Sequence, residues 1–208
     1  MKKGVAVLLC IALIFCYSSA IAAATDNRDI SYETSLASGL RELGLFMGVS
    51  ATDFDLSRAP TRTEAIVMLI RLLGKEDEVR TGSWTHPFND VDGWADGYIG
   101  YAYENRLTRG ISSTEFGRGD ATASMYITFV LRALGYSDEN NADFSWDNPF
   151  ELARHIGILP ASVSLSPFWR ADVVTVSYFA LAAERKNTSQ ILASYLIINN
   201  VFSELVVI

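Results

Sequence analysis

Apolar residues recur at helical spacing in three separate stretches of this chain. The clearest is Pro60–Gly74, in which Ala65, Ile66, Leu69, Leu72 and Leu73 fall on one face. Both ends of the helix are written in the residues. Thr61 is a natural N-cap, and Glu64 three positions later completes a reciprocal capping box. Gly74 takes the left-handed conformation that closes a helix at little cost. Arg62 is the odd residue, a cation in the first turn, where the helix dipole favours anions. An anionic side chain or ligand would make that placement favourable.

The pattern returns at Gly119–Gly135, where Arg132-Ala-Leu-Gly135 echoes Arg71-Leu-Leu-Gly74. A weaker third copy is Phe168–Ala183, with Arg170-Ala171-Asp172 standing where Arg62-Thr63-Glu64 stood. Ahead of the second copy runs Phe88-Asn-Asp-Val-Asp-Gly-Trp-Ala-Asp-Gly-Tyr-Ile, and ahead of the third Phe144-Ser-Trp-Asp-Asn-Pro-Phe-Glu-Leu-Ala. Periods of about fifty to sixty residues predict helix–loop–helix units that share one core. The expected fold class is all-α.

In chain order, Leu36, Leu40, Leu43 and Phe46 predict a helix over Ser35–Phe46, followed by a loop over Val49–Ala59 in which Phe54 and Leu56 plug the core. Lys75–Pro87 reads as a charged linker. The next helix is expected over Gly93–Glu104 with Asp92 as its cap, then a Gly- and Ser-rich loop to Asp120. Ser137–Asp143 is a second polar linker. Asp147 or Asn148 caps a helix with Pro149 in its first turn, ended by Gly157. The tail Thr188–Ile208 reads as a closing helix, because Asn199, Asn200, Ser203 and Glu204 interrupt its apolar run and weaken a membrane span.

Met1–Ala24 has the form of an export signal: basic Lys2 and Lys3, an apolar run over Val5–Tyr17, and small residues offering cleavage after Ala22 or Ala24. The expected localisation is therefore outside the membrane, with no stable span in the mature chain. Both cysteines, Cys10 and Cys16, lie inside this segment, so the mature chain is expected to hold neither disulfide nor Cys metal site. The formal net charge is −7, and loss of Lys2 and Lys3 makes the mature form more acidic by two charges. That balance argues against nucleic acid and against docking on anionic lipid. His86 and His155 sit in no ligand spacing, and no nucleophile elbow, zincin or phosphate-loop motif occurs. No catalytic residue, metal or cofactor is expected.

Phe-x-Asp-Val, Trp-Ala-x-x-Tyr-Ile, a loop, then Thr-Arg-x-Glu-Ala and Leu-x-Arg-x-Leu-Gly resembles the S-layer homology (SLH) module. Phe88–Tyr98 carries the first half and Thr61–Gly74 the second. The resemblance divides the chain into a signal peptide (1–24), a leader (25–34), repeats at 35–78, 84–138 and 144–186, and a capping helix (187–208). It implies a pseudo-threefold helical bundle with ligand grooves between repeats. It also implies non-covalent attachment of an exported surface protein to a secondary cell-wall polysaccharide, often through a pyruvylated sugar. A ketal-linked pyruvate keeps a carboxylate, which suits a guanidinium fork and helix-start N–H groups.

Carried over by position, Arg62 and Arg170 are the candidate carboxylate ligands, with Thr61, Glu64 and Asp172 capping and orienting them. The plainer reading of Arg62 is a salt bridge to Glu64 or to a neighbouring repeat. Trp94 and Trp146 are candidate sugar platforms, although an aromatic at a helix start beside an apolar face is more often core. Asp90 accepts sugar hydroxyls or caps the next turn. The second repeat has Ala123 and Met125 where Arg and Glu belong, so its groove is expected to have lost carboxylate recognition, leaving at most two competent grooves. Arg118-Gly119-Asp120 is explained by turn chemistry. The competing readings are contacts with other surface-layer proteins and, further off, an envelope hydrolase with a carboxylate pair converging in a cleft.

Overall fold

Thr61 and Glu64 form both halves of the capping box: the Thr61 hydroxyl accepts from Glu64 N–H at 3.1 Å and the Glu64 carboxylate from Thr61 N–H at 2.7 Å. They start α2 (Arg62–Leu72). Its far end is a Schellman closure, with Gly74 N–H donating to Arg71 O at 2.8 Å and Lys75 N–H to Ile70 O at 3.0 Å. Gly74 has φ +64°, and a Cβ there would lie 2.2 Å from a Val201 methyl. Left-handed backbone and close approach both demand glycine at this point.

The structure, a computed structural model, describes residues 28–203. The expected signal segment with Cys10 and Cys16, the first leader residues and the last residues of the tail lie outside them. The remaining helices are α1 (Ser31–Glu42), α3 (Glu76–Thr81), α4 (Asp96–Glu104), α5 (Ala123–Ala133), α6 (Phe150–His155), α7 (Arg170–Leu181) and α8 (Leu192–Ile198). Among the described residues there is no sheet, only isolated bridges such as Thr61 with Asp120. The fold is all-α, and no described helix is long and apolar enough to cross a membrane.

The three motif helices α2, α5 and α7 pack on one another pair by pair. Each takes a helix from elsewhere in the chain: α4 lies on α2, α6 on α5, and α1 on α7. The arrangement is cyclic, with α1 closing the ring by packing on the last motif helix. Buried Ile66, Leu69, Ile127, Leu131, Val173 and Val176 fill the centre, each contributing about 1.5–3 kcal/mol by leaving water. α7 is buried almost all round, which explains why its sequence lacks a polar face and reads as the weakest copy. Backbone bonds lace the motif-helix starts to neighbouring loops: Arg62 N–H to Gly119 O at 2.9 Å, and Arg170 N–H to Arg58 O at 2.8 Å.

Several boundaries differ from the sequence expectation. α1 begins four residues earlier, because the Asp29 carboxylate accepts Ser31 N–H at 3.0 Å and so supplies a start signal inside the expected leader. α4 begins at Asp96 instead of Gly93, since residues 93–95 form a turn closed by Ala95 N–H on Asp92 O at 2.8 Å. Pro149 is the N-cap of α6 and lies just ahead of its first turn. The charged linker after Gly74 contains α3, whose first turn carries Glu76, Asp77 and Glu78 as the dipole favours. The expected tail helix spans only Leu192–Ile198 among the described residues.

Candidate ligand-binding groove

The start of α2, the loop after α4 and one face of α5 enclose a groove of about 630 Å³, within the usual range for small-ligand sites. Arg62 enters from α2, Arg109 and Gly110 from the loop, Thr128 and Arg132 from α5, and Trp146 stands at the rim. Trp146 is 66% exposed, which removes the core reading for that side chain.

Arg62 is only 6% exposed, yet its side chain makes no hydrogen bond or ion pair among the described residues. Its guanidinium lies between two rings, 5.0 Å from the centroid of Phe116 and 5.1 Å from that of Phe129. Such contacts hold the cation in place through the ring quadrupoles without neutralising it. Burial first, and then the like charge of Arg132, push its pKa down to about 10, which still leaves it protonated at neutral pH. The Nε of Arg62 and the Oγ1 of Thr128 are the buried side-chain atoms left without partners among the described residues. Thr128 is 5% exposed and, unlike Thr175 in α7, does not turn its hydroxyl back onto its own helix.

The other cations of this groove are paired. Arg132 grips Asp138 through Nε at 3.0 Å and Nη2 at 2.6 Å, and Arg109 lies 3.6 Å from the same carboxylate. Burial tends to raise the Asp138 pKa, but the bond from Arg132 and the nearby charges outweigh it and hold the group below the usual carboxylate range. Arg62 is thus the one guanidinium in the groove with no carboxylate on it among the described residues.

Asp90 lies behind the site. Its carboxylate accepts the backbone N–H groups of Phe116 at 2.7 Å and Gly117 at 2.8 Å. Those bonds fix the loop that carries the Phe116 ring onto Arg62, so Asp90 positions the site and does not line it.

Arg170 occupies the matching motif position but has a different environment. Its Nε donates to Phe54 O at 3.2 Å, and Nη1 lies 3.7 Å from both Met68 Sδ and a Glu64 oxygen. Glu64 is gripped in turn by Arg58 at 2.6 and 2.8 Å, so the expected Arg62–Glu64 salt bridge is not formed. The Arg58 bond chiefly pulls the Glu64 pKa down to about 2. Asp172, fully buried, accepts Ser164 and Trp169 N–H at 2.8 Å each and is met by Arg28 at 2.9 Å. Trp169 cannot accept as Thr61 does, so only the carboxylate half of a capping box survives at α7. Thr61, Glu64 and Asp172 therefore act on backbone and arginines, away from the groove. Trp94, 61% exposed, lies in a second groove beside α2.

The structure also changes which helix each arginine serves. Arg62 belongs to α2 but lines the groove on α5, so the loss at Ala123 does not empty that groove. Sequence reading missed Thr128, Arg109 and Arg132 as groove residues. The Arg132 echo of Arg71 was visible, but nothing local pointed to the Thr128 hydroxyl.

No family profile matches the sequence. Similar proteins include two named as surface proteins and one named as an enzyme. A cell surface protein of Thermoanaerobacter kivui is 32% identical over 146 residues, 66% of this chain and 19% of its own length. A surface layer protein of Brevibacillus choshinensis is 27% identical over 144 residues, 65% of this chain and 13% of its own. An endoglucanase of Bacillus sp. (strain KSM-635) is 29% identical over 148 residues, 65% of this chain and 15% of its own. The matched segment covers less than a fifth of each of these relatives. The relatives named as surface proteins support a cell-surface location for this chain.

Proposed function

We propose that this chain is a three-repeat SLH module that holds a surface protein on the cell envelope by binding an acidic wall polysaccharide in the α5 groove. The observation that carries the reading is the buried guanidinium of Arg62, which shares one groove with the Thr128 hydroxyl, the Nε and Oγ1 atoms having no partner among the described residues. A carboxylate entering the groove gives Arg62 the counter-ion it lacks, in surroundings where charge-assisted bonds are strong. The carboxylate of a pyruvylated sugar meets this requirement. Thr128 has a hydroxyl free for the same sugar, and Trp146 offers an exposed ring for an apolar sugar face. Asp138 already occupies Arg132, which leaves Arg62 as the buried guanidinium open to an entering carboxylate.

Arg170 is already bonded, so carboxylate recognition falls to Arg62 alone. The two carboxylates that line the groove are both engaged, Asp138 by Arg132 and Asp147 by the Ser145 hydroxyl, which supports binding as the work of the site. Sedimentation with protein-free sacculi tests the proposal, using wild type beside Arg62→Met. Strong pelleting of wild type with a marked loss in the variant is the expected result. Equal pelleting would move the site elsewhere, and a failure of both would favour contacts with other surface-layer proteins.

A further inference from the structure

The groove beside α2 has a volume of about 510 Å³ and a chemistry opposite to that of the α5 groove. Its charges are closed on themselves. Arg71 donates to Glu76 Oε1 through Nε at 3.0 Å and Nη2 at 2.8 Å, and the Tyr98 hydroxyl donates to the same oxygen at 2.6 Å. Arg80 is paired with Asp77 at 2.9 Å. The bond from Arg71 is the main cause holding the Glu76 pKa below the ordinary value, so the group stays ionised and can only accept. Three donors converge on Oε1, while Oε2 receives none among the described residues.

Arg170 holds the place beside α2 that Arg62 holds beside α5: Met68, which it touches, has the motif position of Phe129. Its guanidinium is bonded to Phe54 O and Met68 and approached by Glu64, so it offers no free cation. Arg71 and Arg80, which line this groove, are already held by Glu76 and Asp77, so an entering carboxylate meets no unpaired guanidinium among the described residues. A neutral sugar would meet a well-exposed indole at Trp94 and an unused carboxylate oxygen, which together suit a ring with one apolar face and several hydroxyls.

We propose that the α2 groove binds an uncharged, hydroxyl-rich sugar residue seated on Trp94, with Glu76 Oε2 accepting its hydroxyls. This rests on the wall-polysaccharide reading and adds that the chain recognises two chemically different residues of the polymer, one acidic and one neutral.

Sacculi with their carboxylates converted to neutral amides by carbodiimide and ethanolamine separate the two sites. On native sacculi, pelleting depends on Arg62. On amidated sacculi, wild type and Arg62→Met retain the same weaker pelleting, and Trp94→Ala and Glu76→Gln each reduce it at least fivefold. Trp94 is exposed, so its removal leaves the fold intact, and circular dichroism verifies both variants. No residual pelleting on amidated sacculi, or residual pelleting indifferent to Trp94→Ala and Glu76→Gln, overturns the neutral-sugar site and leaves the Arg62 result standing. Loss of Arg62 dependence on native sacculi instead overturns the parent reading.

Discussion

Arg62 Nε and Thr128 Oγ1 come from different motif helices, belong to residues that line one groove, and are both buried without a hydrogen-bond partner among the described residues. Each orphan costs stability on the order of 1–3 kcal/mol. Thr128→Val, nearly the same shape without the hydroxyl, is expected to raise stability by about 1 kcal/mol in denaturant titration while weakening binding to sacculi. A stabilised variant with undiminished binding would remove Thr128 from the site.

Trp146 stands at the rim, mostly in water, and supports no core. Trp146→Ala is expected to leave the melting temperature within about 1 °C, since surface changes usually stay within ±0.5 kcal/mol. Binding to sacculi is expected to fall about tenfold, the equivalent of roughly 1.4 kcal/mol. The pair of measurements distinguishes a sugar platform from an idle aromatic.

Glu64 gives the fold an acid sensitivity. Its folded pKa of about 2 lies below the ordinary 4.5, chiefly through Arg58, so its contribution is full above the ordinary value and is lost as pH falls toward 2. Solvent screening of this partly exposed pair reduces the effect to about 1–2 kcal/mol. Glu64→Gln should therefore be less stable than wild type at pH 7, with the difference shrinking between pH 4.5 and 2.

Asp172 joins Arg28 to the start of α7 across 144 residues of sequence. Asp172→Ala leaves two backbone N–H groups and a cation without their acceptor and is expected to cost about 3–5 kcal/mol. Arg28→Ala should cost less, because those backbone donors stay bonded. A reversed order in urea unfolding would show that the arginine, and not the carboxylate, organises this corner.

The parts of the fold legible in the sequence are those fixed by neighbours in the chain. Thr61, Glu64 and Gly74 mark α2 within fifteen residues, and each makes the local bond its chemistry suggests. The site was less legible, because its properties depend on what arrives from afar. Arg62 and Arg170 share a motif position. Arg170 meets the Phe54 carbonyl and Glu64, whereas Arg62 meets two phenyl rings and, among the described residues, no carboxylate. Trp94 and Trp146 sit in turns ahead of their helices, which points them outward, whereas helix starts at those residues would have allowed burial. Thr128 carried no signal, since a threonine in a helix ordinarily bonds its own backbone.

Calorimetric titration of polysaccharide released from the sacculi into wild type, Arg62→Lys and Arg62→Met tests the central claim most directly. A carboxylate on a buried guanidinium predicts a loss of about 30- to 150-fold in Arg62→Met, the equivalent of roughly 2–3 kcal/mol. Arg62→Lys should fall between, because it keeps the charge and loses the planar fork. Equal affinity in all three folded proteins would contradict carboxylate recognition by Arg62.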